Sequence, residues 1–216
     1  MTPITPALEA LERLREGNRR FVSNQRVPNP NVLRPTDLVA EQRPFAIVLG
    51  CSDSRVPAEL VFDQGLGDLF VIRVAGNIVA PSQVGSVEFA ASRFRTRLVV
   101  VLGHSRCGAI LATLEELEAP GGDTSHNLQS IVNRVRPSVA PLLGTALAKD
   151  REALIREAVR ANVRASVDHL RHGSEILERL IAEEGLRVVG AEYALESGEV
   201  EFFEGLDGPT GPSRAG

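Results

Sequence analysis

The two cysteines of this 216-residue chain, Cys51 and Cys107, occupy corresponding places in two similar stretches. The first reads Val48-Leu49-Gly50-Cys51-Ser52-Asp53-Ser54-Arg55. The second reads Val101-Leu102-Gly103-His104-Ser105-Arg106-Cys107-Gly108. Two thiolates and an imidazole, from Cys51, Cys107 and His104, are soft and borderline donors that suit a tetrahedral Zn2+. Three protein ligands leave a fourth position to water, the mark of a catalytic rather than a closed structural site. Singly, each residue has a plainer explanation: buried free cysteines are common and usually inert, and one histidine past a strand usually hydrogen-bonds within the core. Jointly, both cysteines and one of the four histidines fall at twin strand ends, which favours a shared metal. Spacing alone does not name the reaction.

Asp53 and Arg55 flank the same strand end as Cys51. A surface salt bridge is the simple account. The chemical account is that Arg55 holds Asp53 ionised through a charge-assisted contact. Such a carboxylate accepts a hydrogen bond from a metal-activated water and aims the oxygen lone pair at an electrophile. Zinc lowers the pKa of its water from about 15.7 to about 7 when its ligands are neutral. Two thiolates cancel its formal charge, so a weaker effect and activity favouring alkaline pH are expected.

These residues need a scaffold that brings two strand ends together. Phe45 to Leu49 and Leu98 to Leu102 are unbroken apolar runs, each followed by glycine, as expected of strands buried on both faces of a parallel sheet. Leu69 to Val74 and Leu186 to Val189 are two further strands. Helical patterns cover Ser82 to Phe94, Lys149 to His172 and Ser174 to Glu184. Glu199 to Phe203 follows a Ser197-Gly198 turn and returns antiparallel at a sheet edge. The fold class is α/β: a central, mostly parallel sheet with an antiparallel edge strand, flanked by helices. Ligands of such sheets collect at the carboxyl ends of strands, so neighbouring strands would converge Cys51, His104 and Cys107. At the front, Thr5-Pro6 reads as a helix cap and first-turn proline, and Leu8, Leu11 and Leu14 carry a helix to about Phe21. Val27 to Pro35 reads as an irregular crossing segment and Pro35 to Glu41 as a short helix. The expectation is one domain over 1–216, with an N-terminal helical arm over 1–44 and a loose tail over 205–216.

The chain is 43% hydrophobic and 24% charged, with a formal charge of -4 and no Trp. This balance offers no basic patch for nucleic acid, whose phosphates require concentrated Lys and Arg. No stretch approaches the ~20 apolar residues of a membrane helix, and Met1 to Pro6 lacks a secretory pattern. A cytoplasmic protein with no nucleic-acid or membrane partner is expected, its thiols reduced.

The paired motifs Cys51-Ser52-Asp53-Ser54-Arg55 and Gly103-His104-Ser105-Arg106-Cys107-Gly108 closely resemble the signature of β-class carbonic anhydrases. The likeness extends through Phe62-Asp63-Gln64-Gly65, Phe70 to Asn77 and Glu88-Phe89-Ala90, covering about Ala7 to Tyr193. It implies reversible hydration of CO2 to bicarbonate by zinc-bound hydroxide, with one Zn2+ per chain on Cys51, His104 and Cys107. Asp53 and Arg55 would form the catalytic dyad, and Asp53 would bind zinc only in a closed, inactive state. Gln42 matches the glutamine that reaches a neighbouring subunit's site; Phe70, Ala75 and Phe89 match substrate-pocket positions. The Gly108 amide, at a helix start, would favour an anion. The resemblance also implies a homodimer or homotetramer, with the N-terminal helix packing on a partner. Three positions depart from the pattern: Ala75 replaces a usual Val, Phe89 an often-found Tyr, and Val48 the Trp that helps some bacterial members form an inhibitory bicarbonate site.

Other readings compete. CS2 or COS hydrolysis on the same zinc fits the motifs. A zinc or redox sensor without turnover fits less well, given the open ligand position and the Asp53-Arg55 pair. His169 and His172, three apart on a predicted helix, read as a solvated face; His126 reads as a loop residue. The Arg93 to Arg97 run reads as a helix end whose cations favour the negative C-terminus.

Overall fold

The computed structural model describes residues 4–25, 39, 41–119 and 125–206. Its strands are β1 (Ala46–Gly50), β2 (Leu69–Arg73), β3 (Leu98–His104), β4 (Arg187–Tyr193) and β5 (Val200–Glu204). They form one sheet in the order β2-β1-β3-β4-β5. β1 pairs parallel with β2 and β3, β3 pairs parallel with β4, and β5 returns antiparallel on β4. The helices are α1 (Ala7–Val22), α2 (Ala58–Val61), α3 (Pro81–Arg93), α4 (Gly108–Glu118), α5 (His126–Val139), α6 (Arg151–His172) and α7 (Glu175–Glu184).

Every residue of β1 and β3 is buried, which explains their lack of polar alternation: both sheet faces are covered. Ala46, Val48, Leu98, Val100 and Leu102 point to one face and pack with Leu11 and Leu14 of α1. Ile47, Leu49, Val99 and Val101 point to the other and meet Val163 and Val167 of α6 and Leu177 of α7. Full burial of one such side chain stabilises by about 1.5–3 kcal/mol. α6 lies so close to β3 that a Cβ on Gly103 would meet Val163 Cγ2 at 2.6 Å. β1 continues to β2 on one side, and the chain then crosses to β3 on the other. The carboxyl ends of β1 and β3 therefore flank a topological switch point, where open α/β sheets bind ligands.

Several local expectations are corrected. α1 begins at Ala7 with Pro6 at its cap position and no side-chain capping bond, so Thr5 does not cap it. His126 opens α5 directly after its capping residue Ser125 and is not in a loop. α5 itself escaped the sequence reading, because β-branched Val132, Val135 and Val139 with Pro137 weaken the helical pattern. The arginine run behaves as expected at Arg93, which ends α3. Arg97 is buried; it donates to Ala91 O at 2.8 Å and pairs with Glu184. The crossing segment Val27–Pro35 and residues 207–216 lie outside the described residues, as do 35–38 and 40 of the predicted short helix. Gly205 and Leu206, where the tail begins, are described, and Leu206 O accepts a bond from Arg187. Among the described residues, no helix is long and apolar enough to cross a membrane.

Candidate metal centre

Cys51 follows β1 directly, His104 ends β3, and Cys107 is the cap residue of α4. Pairing of β1 with β3 carries these chain positions to one place. One ligand atom from each of Cys51, His104 and Cys107 lies within 4.8 Å of the others; among the described residues this is the one such cluster. The Sγ atoms of Cys51 and Cys107 are 4.0 Å apart. Two sulfurs at Zn–S bond length in a tetrahedron stand about 3.8 Å apart, so the pair fits a zinc ion. The histidine fits as well. Its Nδ1 is 2.9 Å from Ser105 O, and that carbonyl can only accept, so Nδ1 carries the proton and Nε2 the free lone pair. Nε2 is buried and has no hydrogen-bond partner among the described residues. An unpaired buried acceptor costs stability, and a cation meets that need.

The local electrostatics follow from this crowding. The two sulfurs titrate as a pair. A hydrogen bond with Cys107 lowers the Cys51 pKa, aided by His104 and the Gly76 N–H against the effect of burial. The same sulfur contact and burial raise Cys107, against the first-turn amides of Ile110 and Ala109. Burial disfavours a charged His104, yet the Cys51 sulfur, Ser105 O and the Asp53 carboxylate together outweigh that and raise its pKa. A metal bound by this set therefore displaces protons.

Asp53 stands beside the cluster with Oδ2 3.9 Å from His104 Nε2. Arg55 grips it in a fork: Nε to Oδ1 at 2.9 Å, Nη2 to Oδ2 at 2.7 Å, and its backbone N–H to Oδ1 at 3.0 Å. The side-chain hydrogen bond from Arg55 holds the Asp53 carboxyl well below the usual carboxylate range, against partial burial. Two residues that the sequence reading did not single out stabilise this loop. Arg73, the last residue of β2, donates to Cys51 O at 2.9 Å and Asp53 O at 2.5 Å. Gly76 donates its N–H to Cys51 Sγ at 3.3 Å. The visible signal was a glycine just past a strand, and Gly76 does adopt a positive φ of 70°.

The remaining predicted residues divide into two groups. Ala75 adjoins Gly76 in the 3-10 turn Ala75–Asn77, and Gly108 opens α4 next to Cys107. Phe70 instead lies opposite Ile47, four residues before Cys51, about 13 Å away along the strand. It packs with Phe89 and Phe94 at ring-centroid distances of 6.2 Å and 6.0 Å, and Phe89 is 54% exposed. Gln42 shares a surface groove with Phe94 and Arg95. Gln42, Phe70 and Phe89 thus gather away from the cysteines of their own chain. His169 and His172 lie on α6 outside the cluster, and exposed His172 faces Asp168 at 3.7 Å.

The carbonic anhydrase family model matches residues 46–200. A carbonic anhydrase of Mycolicibacterium smegmatis is 40% identical over 201 residues, 93% of this chain and 95% of that protein. Among solved structures, the β-carbonic anhydrase CafA of Aspergillus fumigatus superposes with a TM-score of 0.71 at 26% identity, covering 90% of this chain and 88% of that one. One of two tetrameric β-carbonic anhydrases of Sordaria macrospora gives 0.68 at 25% identity, over 87% and 93%. Matched over most of its length by sequence and by fold, the chain belongs to the β class of the carbonic anhydrases, which are lyases.

Proposed function

We propose that this chain hydrates CO2 reversibly to bicarbonate and a proton, using one zinc ion held by Cys51, His104 and Cys107. The observation that carries the reading is the meeting of two sulfurs and the unpartnered Nε2 of His104 beside a carboxylate already gripped by arginine. Zinc, when bound, supplies the Lewis acidity that makes water a nucleophile near neutral pH. Asp53, kept ionised by Arg55, accepts a hydrogen bond from the attacking water and turns its lone pair toward the carbon of CO2. The two-pronged contact from Arg55 also restrains the carboxylate from swinging onto the metal, the closed and inactive arrangement. Ser105 O fixes the His104 ring by accepting a hydrogen bond from Nδ1–H. The amide of Gly108, in the first turn of an 11-residue helix, favours the anionic product over neutral CO2. Ala75, on the turn beside Cys51, contributes an apolar wall.

Phe70 lies about 13 Å from Cys51 along the strand and Phe89 packs on it, so in this reading Gln42, Phe70 and Phe89 complete the pocket of a neighbouring subunit. A homodimer or homotetramer follows, with the outer side of α1, where Leu8 is exposed, facing the partner while Leu11 and Leu14 stay on their own sheet; the tetrameric Sordaria macrospora enzymes agree with it. The reading takes the cytoplasm as compartment, in keeping with two free thiols.

Removal and return of the metal tests this. Purified protein should contain about one zinc per chain, lose CO2 hydration on chelation and regain it with added zinc. Hydration that survives full removal of metal refutes the reading.

A further inference from the structure

On the inward face of α6, two polar side chains interrupt an otherwise apolar stripe. Asn162 is 2% exposed and Ser166 5%, among buried Val159, Val163, Val167 and Leu170. A buried amide or hydroxyl is tolerated only where it finds a partner, and both of these reach the same short segment. Asn162 Nδ2 donates to Gly76 O at 2.8 Å, and Ser166 Oγ donates to Asn77 O at 3.1 Å. The segment is the 3-10 turn Ala75–Asn77, where two consecutive residues, Gly76 and Asn77, have φ of 70° and 42°. A non-glycine residue with positive φ is uncommon, so this backbone needs outside support. A Cβ on Gly76 would also press on Ala109 Cβ at 3.0 Å.

Gly76 is thus held at both ends. Its carbonyl is taken by Asn162, and its N–H points at Cys51 Sγ from 3.3 Å. The same helix bears on the strand that delivers His104, since Val163, next to Asn162 in the chain, packs against Gly103. One rigid element therefore serves as the reference for two of the three ligands.

We infer that Asn162, assisted by Ser166, is a positioning residue for the metal ligand Cys51 and acts through the Gly76 amide. This rests on the reading of Cys51 as a zinc ligand. An N–H···S bond draws electron density from the thiolate and fixes the direction of its lone pairs. Partners of this outer kind typically alter metal affinity by ~10–100-fold. Loss of the Asn162 clamp frees the turn, weakens the N–H···S bond and leaves a more electron-rich, less well-aimed sulfur.

The test uses the full chain stripped of metal and reloaded with zinc or Co(II). Asn162→Leu keeps the branched shape, with somewhat more bulk, and removes the donor. Its zinc Kd, measured by chelator competition, should rise about tenfold. The thiolate-to-Co(II) charge-transfer band should move to lower energy, because a sulfur without its hydrogen bond gives up charge more easily. Val167→Ala, on the same helix face, should lower thermal stability and leave the band and the Kd unchanged. If Asn162→Leu does not fold, Ser166→Ala is read in the same way and should move the band in the same direction by less. Wild-type protein that binds zinc, with variants unchanged in band and Kd, overturns the inference and leaves the proposed function intact. Wild-type protein that binds neither metal overturns both.

Discussion

Asp53 Oδ2 faces His104 Nε2 across 3.9 Å, while both oxygens of that carboxylate are bound by Arg55. A carboxylate is thereby set next to the ligand cluster without being part of it. Such an arrangement separates holding a metal from directing a reaction on it, and the two roles can be tested apart.

Asp53→Ala should lower CO2 hydration by at least about 100-fold, the scale of a positioned proton-handling group. Zinc content should stay near one per chain. Stopped-flow turnover with metal analysis on the same sample checks this, and unchanged turnover would remove Asp53 from the mechanism. Arg55→Lys keeps the charge and loses the fork, so it should fall between wild type and Asp53→Ala.

Cys107→Ser replaces a soft ligand with a hydroxyl. Its zinc Kd should rise by more than the ~10–100-fold typical of an outer partner, and the stabilisation by added zinc should shrink. Thermal melts with and without zinc are the measurement. An unchanged response to zinc would mean that Cys107 is not a ligand.

Phe89→Arg places a charge at the exposed edge of the aromatic cluster of Phe70, Phe89 and Phe94. If that cluster completes a neighbour's pocket, the variant should dissociate more readily in analytical ultracentrifugation and lose hydration while retaining zinc. A variant that keeps both assembly and turnover would place the cluster outside the interface.

Gly103→Ala should destabilise the chain by about 1–3 kcal/mol through overpacking, since its new Cβ meets Val163 Cγ2 at 2.6 Å. Val163→Ala in the same chain should relieve part of that cost, so that the double variant is more stable than the summed single effects predict. Urea unfolding midpoints decide it; simple additivity would mean that α6 shifts away to make room.

The strands were legible because β1 and β3 are buried on both faces and had to be written as aliphatic runs. The grouping of Cys51 and Cys107 with His104 was legible because both cysteines follow such runs. What joins distant segments was not. Asn162 sits in a helical stripe that reads as amphipathic in any case, and its bond to Gly76 spans 86 positions. Arg73 is one arginine at the end of a strand until folding brings it under Cys51 and Asp53. The resemblance assigned Phe70, Ala75 and Phe89 to the substrate pocket; within one chain, the pairing of Phe70 with Ile47 sets it apart from Cys51 along the strand.

The most direct measurement is stopped-flow CO2 hydration by zinc-replete wild-type protein between about pH 6 and pH 9. Two thiolates offset the charge of zinc, so the nucleophile should form above the ~pH 7 seen with neutral ligands, and the rate should climb through this range. Rapid hydration that rises with pH is the predicted result. No hydration at any pH with one zinc per chain would contradict the account.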